Sequence, residues 1–378
     1  MRLAIISLMT GFPWGGSEEL WYRVALLAKD RHSKLFVSVV DWEQHTSQKV
    51  NDLDGPDTVL YLRKNQKRSG FIQRLKSRVI KPKNALIEKL KSFNPDLVYI
   101  NQGDTYSVTG YTPLIQYLVS EKVPYIIICQ FNVEHGVLSE VDLTNARQIF
   151  GAARNVVFVS QRNKDVAERQ LAQDIPNAKI IYNPIKLEMK EIIPFPKSER
   201  IVFASVARLD CNYKGQDLLL QVMAGKEWRQ RDWQLNLYGS GPDRQYLSEL
   251  IEYYQLREKV RLCGRVVDVA RIWAESHMLL LPSIGEGTPL TLLEAMSCGR
   301  TALVTDAGGN LEFIIHGNNG FSVDAPTVKL IAQGMEEVWK NRNNLKALGE
   351  AAFLKVTEAF SEPPETTLLN LAVTNHYG

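Results

Sequence analysis

The sequence predicts an α/β protein of two doubly wound parallel-sheet domains, and three observations carry that prediction. Short apolar runs alternate with helical patterns from one end to the other, the pattern of parallel strands joined by crossover helices. The length of 378 residues is more than one core comfortably fills. A stretch rich in proline and charge, from Asn183 and Pro184 to Pro194, Pro196 and Lys197, separates two segments of the same kind.

In the first segment the apolar runs predict strands at Leu3 to Ser7, Leu35 to Val40, Leu97 to Ile100, Tyr125 to Cys129, Val156 to Val159 and Lys179 to Tyr182. The second segment predicts strands at Ile201 to Val206, Trp233 to Tyr238, Val260 to Leu262, Met278 to Leu281, Ala302 to Val304 and Gly320 to Val323. The domain boundaries that follow are 1–185, a linker at 186–199, and 200–362. In doubly wound sheets a ligand binds beyond the carboxyl ends of the strands, so the site is expected there, in a crevice between two such domains.

Composition excludes several classes. Hydrophobic residues at 45% and charged residues at 23% fit a folded enzyme. A net charge of +3 is too small to point to nucleic acid. The four cysteines, Cys129, Cys211, Cys263 and Cys298, stand singly, without metal-site spacing, which fits a reducing, cytoplasmic compartment. No apolar stretch approaches the roughly 18 residues that span a bilayer. Asp52 and Asp54 form a DxD, but it follows no apolar strand and a Gly-Pro turn comes next, so it reads as a loop and no metal is expected.

The segment from Leu281 to Gly299 is the most informative. It reads as strand, loop and short helix, with Thr288 as N-cap, Pro289 at the first helical position and Gly299 at C′, giving a helix over 289–298. Its free N–H groups and dipole suit a phosphate. Glu286 precedes the helix and Glu294 lies about 7 Å further along its axis, so each carboxylate can grip a diol, a sugar by the first and a ribose by the second. Taken alone, the same glutamates read equally well as a solvated loop acid and a helix acid. Arg208 closes the first strand of this half, and Lys214 precedes Gly215 at the next helix. Two cations there could stabilise a departing diphosphate without a metal. Tyr238-Gly-Ser-Gly241 is a strand-to-turn pair through which a ligand could approach the backbone. In the first half Gly11, Gly15 and Gly16 follow strand one and Ser17 can cap the next helix. They do not form GxGxxG, which removes the main support for a dinucleotide dehydrogenase.

These residues resemble glycosyltransferase family 4, the retaining group 1 glycosyl transferases. The resemblance runs through Gly15-Gly16, Phe158-Val-Ser160, Tyr182-Asn-Pro-Ile185, Ala207-Arg-Leu209, Lys214-Gly215, Tyr238 to Gly241, Glu286 to Gly299, Gly308-Gly309 with Glu312, and Phe360-Ser361. It implies a GT-B fold, two Rossmann-like domains facing across a cleft, with a C-terminal helix in 363–378 crossing back onto the first. It implies a catalytic set of Arg208, Lys214 and Glu286. The donor set would be Gly16, Arg208, Lys214, Gly239, Arg265, Val266, Glu286, Gly287, Thr288, Pro289, Leu290 and Glu294, with the diphosphate on the two cations, the sugar on Glu286, the ribose on Glu294 and the base on the loop at Arg265 and Val266. On the acceptor side it points to Trp14, Gly15, Gly16, Gln130 and His135. The chemistry implied is front-face substitution with retention, moving a hexose-type sugar from a nucleotide diphosphate donor to a glycan, lipid-linked or small-molecule acceptor, with no cofactor. Many members carry a His after the strand at Tyr125 to Cys129, where this chain has Gln130, which cannot act as a general base.

From Arg63 to Lys91 basic residues face a single acid, Glu88, and Phe71 to Ile80 has an amphipathic helical pattern. A peripheral contact with an anionic membrane, at the inner face of the plasma membrane, is the expectation, against a merely solvated basic face. Two rival functions stay open: a nucleotide-sugar epimerase on the same fold, and a non-catalytic subunit that binds the nucleotide sugar.

Overall fold

The computed structural model describes residues 1–64, 84–187 and 191–373. They divide into two compact units: Met1–Val159 with Asn163–Pro184 and the residues from Pro363 onward, and Ser160–Arg162 with Ile185–Glu362.

The first unit is built on seven strands, β1 (Arg2–Ser7), β2 (Lys34–Asp41), β3 (Thr58–Lys64), β4 (Leu97–Asn101), β5 (Tyr125–Cys129), β6 (Asn155–Phe158) and β7 (Ala178–Ile180). They pair in the order β3-β2-β1-β4-β5-β6-β7, all parallel. Alternation along β1 divides its side chains between two cores. Leu3 and Ile5 pack with Leu20, Trp21 and Val24 of the helix Gly16–Asp30. Ala4 and Ile6 pack on the opposite face with Leu114, Ile115 and Leu118 of the helix Thr112–Ser120. The C-terminal helix Pro364–Val373 returns to this unit, placing Leu368, Leu369 and Ala372 in the first of these cores. The buried Tyr99 hydroxyl donates to the Leu368 carbonyl at 2.7 Å.

β3 is absent from the sequence expectation. It is an edge strand, half-buried to exposed along its length, and although Val59 to Leu62 is an apolar run, it passes directly into the basic stretch. The DxD lies where a short helix ends: Asp52 follows Gln48–Asn51, Leu53 is buried between the two acids, and Asp54 Oδ1 accepts from the Gly55 amide at 3.0 Å. Of the basic stretch, 65–83, with its amphipathic pattern at 71–80, lies outside the described residues. Arg63, counted within the stretch, turns inward and donates to the Ser7 carbonyl.

The second unit has six parallel strands, β8 (Ile201–Val206), β9 (Trp233–Tyr238), β10 (Val260–Gly264), β11 (Met278–Leu281), β12 (Thr301–Thr305) and β13 (Phe321–Val323), ordered β10-β9-β8-β11-β12-β13. Trp233, Leu235 and Leu237 of β9 face a core shared with Leu219, Leu220 and Leu247. At the amino end of β12 the fully buried Arg300 satisfies its guanidinium on main-chain carbonyls alone: Trp273 at 2.8 Å, Ser276 at 2.9 Å, Cys298 at 2.9 Å, Gly299 at 3.2 Å, Ile193 at 3.3 Å and Pro194 at 2.6 Å. Its planar, forked donors suit so many acceptors, and they fix residues 193–194 against this unit. Burial draws its ionisation down to about 10, leaving it charged at neutral pH.

Candidate functional site

In both sheets the strand order reverses between the first strand and its neighbour, β1 beside β4 and β8 beside β11. The connections leaving such a pair run to opposite sides and open a crevice at the carboxyl ends, where ligands of this architecture bind.

In the second unit the loops after β8 and β11 meet at that place. Lys214, on the short helix Cys211–Lys214, donates from Nζ to Glu286 Oε1 at 2.6 Å. Ser283 Oγ donates to the same oxygen at 2.7 Å, and the Thr305 hydroxyl at the end of β12 donates to the Ser283 carbonyl. Glu286 is 8% exposed, so its charge depends on these donors. The amides of Ile284 and Gly285 both reach the Tyr213 carbonyl, at 2.8 and 3.3 Å, and lace the two loops together. Sequence reasoning pictured Lys214 and Glu286 as separate ligands for phosphate and sugar. The structure couples them directly and adds Ser283, whose only sequence signal is a hydroxyl next to the proline that ends β11.

Arg208 leaves β8 with its side chain 48% exposed and its Nε 3.5 Å from Asp210 Oδ2. Its carbonyl is held by Gln216 Nε2 at 2.8 Å, which fixes the backbone and leaves the guanidinium at the surface. Gly239 packs tightly against its neighbouring loop. With φ +136, a Cβ there would lie 1.9 Å from the Ala207 carbonyl oxygen, so the space left by the missing side chain is filled by the protein's own loop. Gly308 does the same against Glu286: with φ +48, a Cβ would meet the Glu286 carbonyl oxygen at 2.2 Å.

The helix runs Leu290–Ser297, one residue shorter at each end than 289–298, with Gly299 in the left-handed region past its end. Thr288 is not its N-cap. Pro289 occupies that position with φ −79 and ψ 75, the centre of an inverse γ-turn closed by the Leu290 amide on the Thr288 carbonyl at 2.9 Å. The Leu290 amide is thereby engaged locally, and Gly287 offers its carbonyl to the Gly309 amide at 3.0 Å. Glu294 lies in the second turn, 8% exposed, with its carboxyl pushed up to about 7 by burial against the pull of Lys186. Among the described residues Lys186 is the cation whose charge pulls it down. Arg265 and Val266 follow β10, and Val266 lines a cavity of about 320 Å³ with Gln234, Asn236, Tyr238, Arg261 and Cys263.

In the first unit the helix Gly16–Asp30 starts at Gly16 with Gly15 as its cap, so Ser17 lies inside the first turn and does not cap it. Trp14 packs on its own unit: Nε1 donates to Glu19 Oε1 at 2.8 Å, and its ring sits edge-on to Tyr22 at 5.6 Å. Gln130 is 4% exposed, and His135 lies five residues on in an exposed bend.

The sequence reading passed over Glu18, which is buried to 3% exposure at the switch point between β1 and β4. It accepts from Ser7 Oγ at 2.8 Å, Trp21 Nε1 at 3.0 Å and Asn101 Nδ2 at 2.8 Å. Burial pushes its carboxyl up to about 7, opposed by these donors and by the charge of Arg63. The signal was available as a Glu at helical spacing from Trp21 and Ala25, on the apolar face of its helix.

Among the described residues no group of three or more His, Cys, Asp and Glu is placed to hold a metal ion, and no helix is long and apolar enough to cross a membrane.

Residues 188–355 match the family described as Glycosyl transferases group 1. The N-acetyl-alpha-D-glucosaminyl L-malate synthase of Bacillus anthracis is 25% identical over 282 residues, 71% of each chain. An uncharacterized glycosyltransferase of Haemophilus influenzae is 30% identical over 146 residues, 38% of this chain and 41% of that protein. The alignments with three of the curated relatives span 13%, 41% and 38% of those proteins' own lengths. In fold the chain is similar to Anabaena HepE, solved with UDP and glucose, at a TM-score of 0.74 with 18% identity over 99% of both chains. Residues 188–355, which hold the second of the two Rossmann-like parallel sheets, are thus similar to the group 1 glycosyl transferases, and the architecture of the chain is the GT-B fold.

Proposed function

We propose that the chain is a retaining, metal-independent glycosyltransferase that moves a hexose-type sugar from a nucleotide diphosphate donor to a hydroxyl of a glycan, lipid-linked or small-molecule acceptor. The observation that carries this reading is the Lys214–Glu286 pair with Ser283 at the switch point of the second sheet. A buried carboxylate at that place can take the hydroxyls of the sugar to be moved, while its cation partner is close enough to neutralise charge on a departing phosphate.

The reading assigns Arg208 and Lys214 to the diphosphate, Glu286 to the sugar, Glu294 to the ribose and the loop at Arg265 and Val266 to the base. Arg208 is half-exposed, which fits a cation that a diphosphate can reach. Loss of the sugar with its bond to phosphate leaves a phosphate oxygen that takes the acceptor proton, so the step balances without a further base. Gln130 supplies no such base, and a mechanism in which the leaving group does so accommodates it. A neighbour solved with UDP and glucose supports UDP as the first nucleotide to try.

The test is calorimetric titration of the full chain with UDP-, GDP- and ADP-sugars, followed by turnover assays without added metal. One nucleotide class should bind, and Arg208→Ala should lose that binding while the chain stays folded. A new sugar isomer from donor alone would replace transfer by epimerisation. Binding without turnover against any acceptor would leave a non-catalytic subunit.

A further inference from the structure

Across the carboxyl ends of the first sheet, four side chains form a hydrogen-bonded row. Asn101 Nδ2, at the end of β4, donates to Glu18 Oε1 at 2.8 Å. Gln130 Nε2, just past β5, donates to Asn101 Oδ1 at 2.8 Å. Asn183 Nδ2, in the segment after β7, donates to Gln130 Oε1 at 2.7 Å. Glu18, Asn101, Gln130 and Asn183 are all at least nine-tenths buried.

The row has a direction, and chemistry sets it. An ionised carboxylate only accepts, so Asn101 must turn its amino group to Glu18 and its carbonyl away. That carbonyl accepts, so Gln130 must present its amino group in turn, and Asn183 completes the sequence. Each amide is oriented by the one before it, back to a single charge. Gln130 Nε2 carries two hydrogens and spends one on Asn101, leaving the other as a donor at the carboxyl edge, where this architecture places its ligands.

We propose that Glu18 is a positioning residue: acting through Asn101, its negative charge holds the Gln130 amide with the amino group outward, as a hydrogen-bond donor to an oxygen of the sugar being handled. The sugar rests on the transferase reading above; the orientation does not. The groups facing Glu18 are the hydroxyl of Ser7 from β1, the indole of Trp21 from its own helix, the amide of Asn101 from β4 and the cation of Arg63 from β3. Ser7 and Asn101 can reverse their polarity, whereas Trp21 and Arg63 cannot. A proton on Oε1 therefore turns Asn101 round, and Gln130 after it, so that the outward group becomes a carbonyl, an acceptor that can no longer donate to the sugar oxygen.

The test is the side-chain amide signal of Gln130 in the full-length protein labelled with ¹⁵N at Gln, identified by its loss in Gln130→Glu and followed from pH 5.5 to 8.5. It should titrate in the wild type and become independent of pH in Glu18→Gln. Asn101→Leu, which leaves both ends in place and cuts the row, should have the same effect, so the test survives if one variant fails to fold. A wild-type signal that does not move, or one that titrates unchanged in both variants, overturns the proposal. In turnover assays Glu18→Gln should raise the KM for the sugar substrate about tenfold with a smaller change in kcat, and flatten the pH profile on its acid side. If the wild type turns over no nucleotide sugar, the transferase reading fails, and the spectroscopic arm still decides the role of Glu18.

Discussion

Lys214 Nζ and Glu286 Oε1 stand 2.6 Å apart with their side chains 21% and 10% exposed, so neither charge is solvated well enough to lose the other without cost. The Coulombic attraction of such a pair is countered by its desolvation, and removal of one partner leaves the other stranded.

Glu286→Gln is therefore expected to lower turnover by two orders of magnitude or more and also to destabilise the chain, by roughly 1–3 kcal/mol. Assays at saturating donor, with thermal unfolding of the same samples, separate the two effects. Retention of wild-type turnover would remove Glu286 from the chemistry.

Arg208→Ala should behave in the opposite proportion. Its ion pair with Asp210 is long at 3.5 Å and half-exposed, worth about 0–1 kcal/mol. The melting temperature should hardly move, while affinity for the donor falls at least tenfold by calorimetry. A large loss of stability with unchanged affinity would make it a structural residue.

Glu294 ties stability to pH. Its carboxyl stands at about 7 in the folded chain against an ordinary 4.5, so between these values the folded form keeps a proton that the unfolded chain has lost. Its contribution is most favourable at the acid end of the window and declines as pH rises through it, by on the order of 3 kcal/mol. Glu294→Gln should match the wild type near pH 4.5 and melt several degrees higher at pH 8. Equal differences at both pH values would show that Glu294 does not titrate in this range.

Among the described residues Arg300 pairs with no carboxylate and is satisfied by six carbonyls from three segments of the second unit. A lysine offers three donors from one point and cannot span them. Arg300→Lys should lower stability by about 2–4 kcal/mol, and protease cleavage should begin near residues 193–194, which the guanidinium holds. Cleavage confined to other segments would argue against this anchoring.

The strands of both sheets were legible where they are buried on both faces, because a continuous apolar run bounded by turn residues has few other readings. β3 was not, although Val59 to Leu62 is an apolar run, since it lies at the sheet edge and leads straight into a run of cations. The helix after β11 was legible from its proline and glycine to within one residue at each end. Pro289 misled, because the residue that suits a first helical turn also suits the γ-turn found there. Arg208, Lys214 and Glu286 could be named as groups that loops would converge on, but their pairing could not, because it depends on how two loops interlace through Tyr213. Glu18 was invisible as chemistry. Its spacing from Trp21 and Ala25 marks the buried face of its helix, but its partners Ser7 and Asn101 come from other elements and show only in the fold.

At Gly308 and Gly239 the missing side chains are replaced by carbonyl oxygens of neighbouring loops. Redesign of sugar preference could not proceed by reshaping those loops, because any bulk added at either glycine would dislodge the main chain beside Glu286 or Arg208. New specificity would have to be written in rim side chains, on a framework whose loops stay as they are.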